Sequence, residues 1–426
     1  MSPDSVTSQM KHWKIIGWVL ASLAAFRVTT LVGIFQREKS PTEIGTLTPV
    51  KSSHYRVGTV PACCGLLMIL GVSLGSAGRH LGQNQIALSQ PLIVKWRYQS
   101  DQISNLNPAA DKTTVFLPLA AGTLIALNAA DGKLLWKAEA GGEFSAAPTT
   151  DERCVYAATR YSDSEPKHDH GTLRALSKST GVTLWMRTLT APLGGGLAAG
   201  EKALFAGSTD GRVYAFDKHT GLTLWINQYT EGFTSQPLLS GQLVYLGSDG
   251  GNLIALERAT GRLVWQYRTH GPIQGPIAVA NGIIYFGSGD GYVYALSELR
   301  SKLIWRRRTG AAVQAVVVVD NGLLAASLDN FAYLLSLKKG SLIWRRQLPG
   351  RIPARPLTMS DGALFTPLST DSAIVLSLHD GKPANSLSLG EENSSSAAPI
   401  TVDNLVLIAT SHGLLAFSAP QQNPER

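Results

Sequence analysis

Short apolar runs alternate with clusters of Gly, Asp, Asn and Thr over most of this chain, and the alternation itself recurs. The stretch from Gly207 to Trp225, Gly-Ser-Thr-Asp-Gly-Arg-Val-Tyr-Ala-Phe-Asp-Lys-His-Thr-Gly-Leu-Thr-Leu-Trp, has close copies from Gly247 to Trp265 and from Gly287 to Trp305. Ahead of the second and third copies stand a proline-bearing segment (Gln236-Pro237, Gly275-Pro276) and an apolar run ending in tyrosine (Leu243 to Tyr245, Ile283 to Tyr285). Runs this short, bounded by turn formers, predict strands, about four to each unit. At Asp131-Gly132, Asp210-Gly211, Asp290-Gly291 and Asp380-Gly381 the glycine supplies a positive φ and the aspartate accepts local N–H bonds, so each pair ends one strand and starts another.

The period is carried by seven tryptophans, Trp96, Trp136, Trp185, Trp225, Trp265, Trp305 and Trp344, spaced 40, 49, 40, 40, 40 and 39 residues apart. Self-similarity on that scale marks an array of one supersecondary unit. Unit starts are expected near Pro108, Pro148, Leu193, Pro237, Pro276, Val316, Pro356 and Pro399, with the tryptophan strand degenerate around Asn385. The last unit lacks its own tryptophan strand, and the strand around Trp96 is the unused one. The expected fold is therefore all-β: an eight-bladed β-propeller of four-stranded antiparallel blades, its ring closed by the N-terminal strand near Trp96, which leaves no open sheet array.

The segments ending in Trp136, Trp185 and Trp225, each with a glycine four residues earlier (Gly132, Gly181, Gly221, and Gly261 before Trp265), resemble the tryptophan-docking repeat of the pyrroloquinoline-quinone (PQQ) propeller superfamily. The resemblance covers residues 91–420. It implies a fold more than an activity, because the superfamily holds both quinoprotein dehydrogenases and noncatalytic scaffolds such as the propeller lipoprotein of the bacterial β-barrel assembly machinery.

Residues 1–90 differ in kind. An apolar stretch at 15–35 is long enough to span a bilayer but contains Arg27; a second at 57–74 follows Lys51, His54 and Arg56 and ends in small residues. The expectation is an exported protein on the periplasmic side of a bacterial membrane, either anchored in the inner membrane or associated with the outer one, with membrane association through the N-terminal region. Cys63 and Cys64 precede most of the second run, which disfavours a lipoprotein cysteine; Cys154 reads as a small buried hydrophobe. Only 16% of residues are charged and 44% are apolar, which suits one large sheet-rich domain, followed by a polar tail at 421–426.

Little in the sequence suggests chemistry. A quinoprotein would need PQQ and a calcium-type ion held by carboxylate and amide oxygens, and no such constellation can be placed, so no catalytic, cofactor-binding or metal residues are assigned. PQQ with calcium remains the alternative, as the cofactor of an alcohol- or sugar-oxidising dehydrogenase. An insertion at 162–170 carries His168 and His170, read as a contact loop rather than a metal site. Arg306, Arg307 and Arg308 follow one tryptophan and Arg345 and Arg346 another, with Arg351 and Arg355 beyond; with a net charge of +8 they form a candidate surface for an anionic partner. No aromatic platform for nucleic acid is apparent. The resemblance therefore implies a monomeric protein-binding scaffold whose partners are envelope assembly proteins.

Overall fold

In the computed structural model, residues 86–100, 102, 106–162, 169–391 and 393–420 are described; the apolar segments at 15–35 and 57–74, Cys63, Cys64, His168 and the tail at 421–426 lie outside them. The described chain is almost wholly β. Among the described residues the only helical turn is Ala120–Gly122, and no helix is long and apolar enough to cross a membrane.

Strands gather in antiparallel quartets in chain order. Asn252–Glu257, for example, lies between Leu243–Gly247 and Leu263–Arg268, with Leu238–Ser240 at one edge. Six sheets have four strands. The seventh has eight, because two quartets touch through a single parallel bridge, Gly196 to Ala147. Beside the bridge, Gly195 has φ 68°, and a Cβ on it would stand 2.0 Å from the Thr234 carbonyl oxygen, so only glycine lets the chain pass this close to the segment ahead of the next quartet. Ile93–Gln99 pairs with Gly413–Ser418, joining the start of the described chain to its end.

Each of the seven repeat tryptophans stands on the outermost strand of its quartet and ties it to the next one. The indole Nε1–H donates to a backbone carbonyl in the following quartet: Trp96 to Ala129, Trp136 to Lys178, Trp185 to Lys218, Trp225 to Arg258, Trp265 to Glu298, Trp305 to Leu337 and Trp344 to Leu378, all at 2.9–3.0 Å. The indole face covers the turn glycine of that quartet so closely that a Cβ on Gly132, Gly181, Gly221, Gly261, Gly340 or Gly381 would lie 2.4–2.7 Å from a ring carbon. Beneath Trp265 the equivalent residue is Ser301, which holds the same left-handed backbone at φ 48°.

In the quartets of Trp136, Trp185, Trp225, Trp265 and Trp305, the tryptophan opposes a fully buried alanine, which in turn opposes an aromatic residue on the next strand. Trp265, Ala255 and Tyr245 are one such row, and Trp305, Ala295 and Tyr285 another. The small middle residue lets the rings meet over it, at centroid separations of 5.7 Å and 5.9 Å.

The residue before each tryptophan is skipped in the pairing register. Ala255 opposes Trp265, but Leu256 opposes Leu263, leaving Val264 in a bulge; the same step recurs at Leu135, Leu184, Leu224, Ile304 and Ile343. Two consecutive side chains thereby turn outward, and the skipped apolar residues are 42–55% exposed.

The joint without a tryptophan is built differently. Asn385 occupies the tryptophan position and donates through Nδ2 to the carbonyls of Leu88 at 3.0 Å and Gln90 at 2.6 Å. Ile86 and Leu88 are buried among Leu364, Val375, Leu387, Val406, Ile408 and Phe417. The Ser89 N–H donates to Asp361 at 2.7 Å.

Candidate partner-binding surfaces and the axial cavity

The basic cluster lies on two outermost strands, Leu303–Arg308 and Leu342–Gln347. Alternation along a strand divides its members. Arg306 and Arg345 are exposed, and their guanidinium groups stack over Tyr292 at 4.9 Å and Phe331 at 5.4 Å. Arg308 is exposed and Arg307 half-buried. Arg346 points the other way and donates Nε–H to the Gly381 carbonyl at 2.8 Å, the bond that Arg187 makes to Gly221 at 2.9 Å. Arg346 is therefore part of a joint, whereas Arg306 and Arg345 form matched arginine–aromatic pairs on neighbouring quartets. Sequence reading missed Tyr292 and Phe331 because strand pairing brings these aromatics beside arginines about 14 residues away.

The insertion lengthens a hairpin. Cys154–Ser162 and Asp169–Ser177 are nine-residue strands, and His170 opposes Tyr161 near their tip. Around it the Tyr161 hydroxyl donates to the Ala140 carbonyl at 2.8 Å, and Arg160 pairs with Glu143 at 2.6 Å. The structure thus separates His170 from the arginine cluster, on a different quartet. Cys154 is a buried free thiol, its pKa raised by burial and by the nearby Asp151 charge.

Ion pairs add to the joints. Lys178 reaches Asp111 at 2.8 Å and Lys218 reaches Asp151 at 2.9 Å. Burial pushes the Asp151 carboxyl up, but hydrogen bonds from Lys218, the backbone N–H groups of Arg153 and Cys154, and the Tyr156 hydroxyl outweigh it and hold the carboxyl at about 2.

Every quartet contributes residues in or just before its first strand to one cavity of about 620 Å³. Much of its wall is proline, including Pro108, Pro148, Pro276, Pro356 and Pro399. Arg355, which by sequence extends the outer basic cluster, lines this cavity instead. Among the described lining residues there is no carboxylate, so a divalent ion would meet only neutral oxygens. That donor set does not fit the calcium of a PQQ site, which needs anionic oxygen ligands.

The family model for the outer membrane protein assembly factor BamB matches residues 86–166, 169–275 and 271–425. The chain belongs to the BamB family. An outer membrane protein assembly factor BamB from Shewanella oneidensis is 35% identical over 109 residues, which are 24% of this chain and 25% of the relative, so the match spans about a quarter of that protein. The crystal structure of BamB from Moraxella catarrhalis superposes with a TM-score of 0.67 at 16% identity, over 78% of this chain and 99% of that one. A quinohemoprotein alcohol dehydrogenase from Pseudomonas putida superposes at 0.63 with 11% identity, over 79% and 78% of the two chains. At such identities the likeness shows the β-propeller fold that BamB-family and dehydrogenase chains share.

Proposed function

We propose that the chain is a noncatalytic, protein-binding scaffold of the bacterial envelope that serves outer-membrane protein assembly. The observation that carries this reading is the family match, which runs with little interruption from residue 86 to residue 425. The same reading places the propeller on the periplasmic side of the membrane, exported and tethered by the N-terminal region, with the outer membrane as its working surface.

The scaffold is read as a monomeric ring of eight blades. Counting the two halves of the eight-stranded sheet separately gives eight quartets, and the Ile93–Gln99 strand completes the last. A ring held at each joint changes shape little, so partner segments meet a preorganised surface, which reduces the ordering cost of binding. The arginine–aromatic pairs Arg306 with Tyr292 and Arg345 with Phe331 are the surface assigned to partners, since they combine exposed charge with apolar contact.

The test is capture of outer-membrane assembly proteins by the full chain, compared with an Arg306→Glu and Arg345→Glu double variant. Capture by the parent, weakened about tenfold or more in the variant with an unchanged unfolding midpoint, is the expected result. Equal capture by both would remove the arginine surface, and no capture by either would remove the scaffold reading. Titration with PQQ in the presence and absence of calcium separates the dehydrogenase alternative: saturable, calcium-dependent binding would favour it.

A further inference from the structure

The axial cavity has a feature that a passive hole would lack. Its volume, about 620 Å³, falls within the range of small-molecule sites. Proline rings stiffen part of its wall and carry no N–H of their own. Arg355 is the single charged residue of the described lining. It makes no ion pair or hydrogen bond among the described residues, and the same is true of the side chain of Gln314, another lining residue. Gln236 donates to the Leu197 carbonyl at a long 3.4 Å. The acid beside the rim, Asp249, accepts from Thr234 and from Gln274 at 3.1 Å, so both of its nearest donors are lining residues and it makes no pair with Arg355.

From this arrangement we infer that the axial cavity is a binding site for a carboxylate-bearing ligand, clasped by Arg355 with Gln314 as a second donor. A guanidinium is planar and presents paired N–H groups that match a carboxylate. Arg355 is exposed to the space of the cavity, so an arriving anion reaches its guanidinium without first displacing a protein partner. The carboxylate can come from a small organic acid or from an Asp or Glu side chain on a segment that enters the cavity.

Calorimetric titration of the full chain in detergent at low salt tests the site with three probes: citrate, a terminally blocked acidic tetrapeptide, and the uncharged triamide of citrate. Citrate or the peptide should bind in about the millimolar range or tighter, and the triamide should not. Arg355→Gln should weaken binding about tenfold or more without moving the unfolding midpoint, because a charge-assisted pair is lost from a wall that other residues hold up. Arg355→Lys should fall between the two, and Arg300→Gln, which removes an exposed charge from a surface turn, should bind like the parent. Binding by citrate identifies a free acid as the ligand source, and binding by the peptide alone identifies a protein side chain. The inference is overturned if neither charged probe saturates, or if Arg355→Gln binds as tightly as the parent.

Discussion

Each repeated residue does a separable job. The tryptophan supplies a packed ring and a bond to the next quartet, so Trp225→Ala should lose roughly 3–5 kcal/mol in urea unfolding, as a truncation of packed aromatic volume. A loss under about 1 kcal/mol would mean the joint is held by other contacts. Ser301 is the residue that departs from the turn rule, holding φ 48° where Gly132, Gly181, Gly221 and Gly261 hold 69–73°. An L side chain in that region costs about 1–2 kcal/mol, and glycine returns part of the gain to the unfolded chain. Ser301→Gly should therefore stabilise by about 1 kcal/mol, whereas a lower urea midpoint would show that the serine side chain contributes to the joint. Asp151 links a joint to pH. Its folded-state pKa, about 2, lies below the ordinary 3.8, so its stabilising contribution is present above pH 3.8 and fades as pH falls toward 2. Asp151→Asn should flatten the fall in melting temperature over that window and lower stability at neutral pH; an unchanged acid profile would sink the assignment.

At the level of elements, strand positions were readable from period-two alternation and turn pairs, but the bulge before each tryptophan was not. Sequence reading treats two consecutive apolar residues before a tryptophan as one inward and one outward. The skipped register sends both outward, which is why Leu134 and Leu135 are each about half exposed, at 51% and 52%. The joint at Asn385 was legible only as a lost tryptophan. Its replacement is residues 86–90, nearly 300 positions away in the chain, and no local signal connects the two. Leu88 is fully buried there, so Leu88→Ala should cost about 2–5 kcal/mol and raise hydrogen exchange first in the two quartets that Leu88 joins. Uniform exchange across the propeller would argue against a localised joint.

For the molecule as a whole, function separates from fold. The propeller architecture is shared with dehydrogenases, so what the protein does rests on the surfaces its loops and outer strands present. The basic cluster divides accordingly. Arg306 and Arg345 are exposed and stacked on aromatics, Arg346 is committed to a joint, and Arg355 faces the axial cavity. A single sequence stripe of arginines therefore serves three different places.

The sequence by itself determined the repeat, its period, its strand content and the identity of the joint-forming tryptophans, because these follow from local alternation and turn chemistry. It also carried the family, since the same periodic residues form the matched pattern. Tertiary structure alone decided which carbonyl each indole meets, how residues 86–90 replace a tryptophan, and where each arginine points. Those outcomes depend on register and on contacts between distant segments, and a register step of one residue reverses the face on which every following side chain lies.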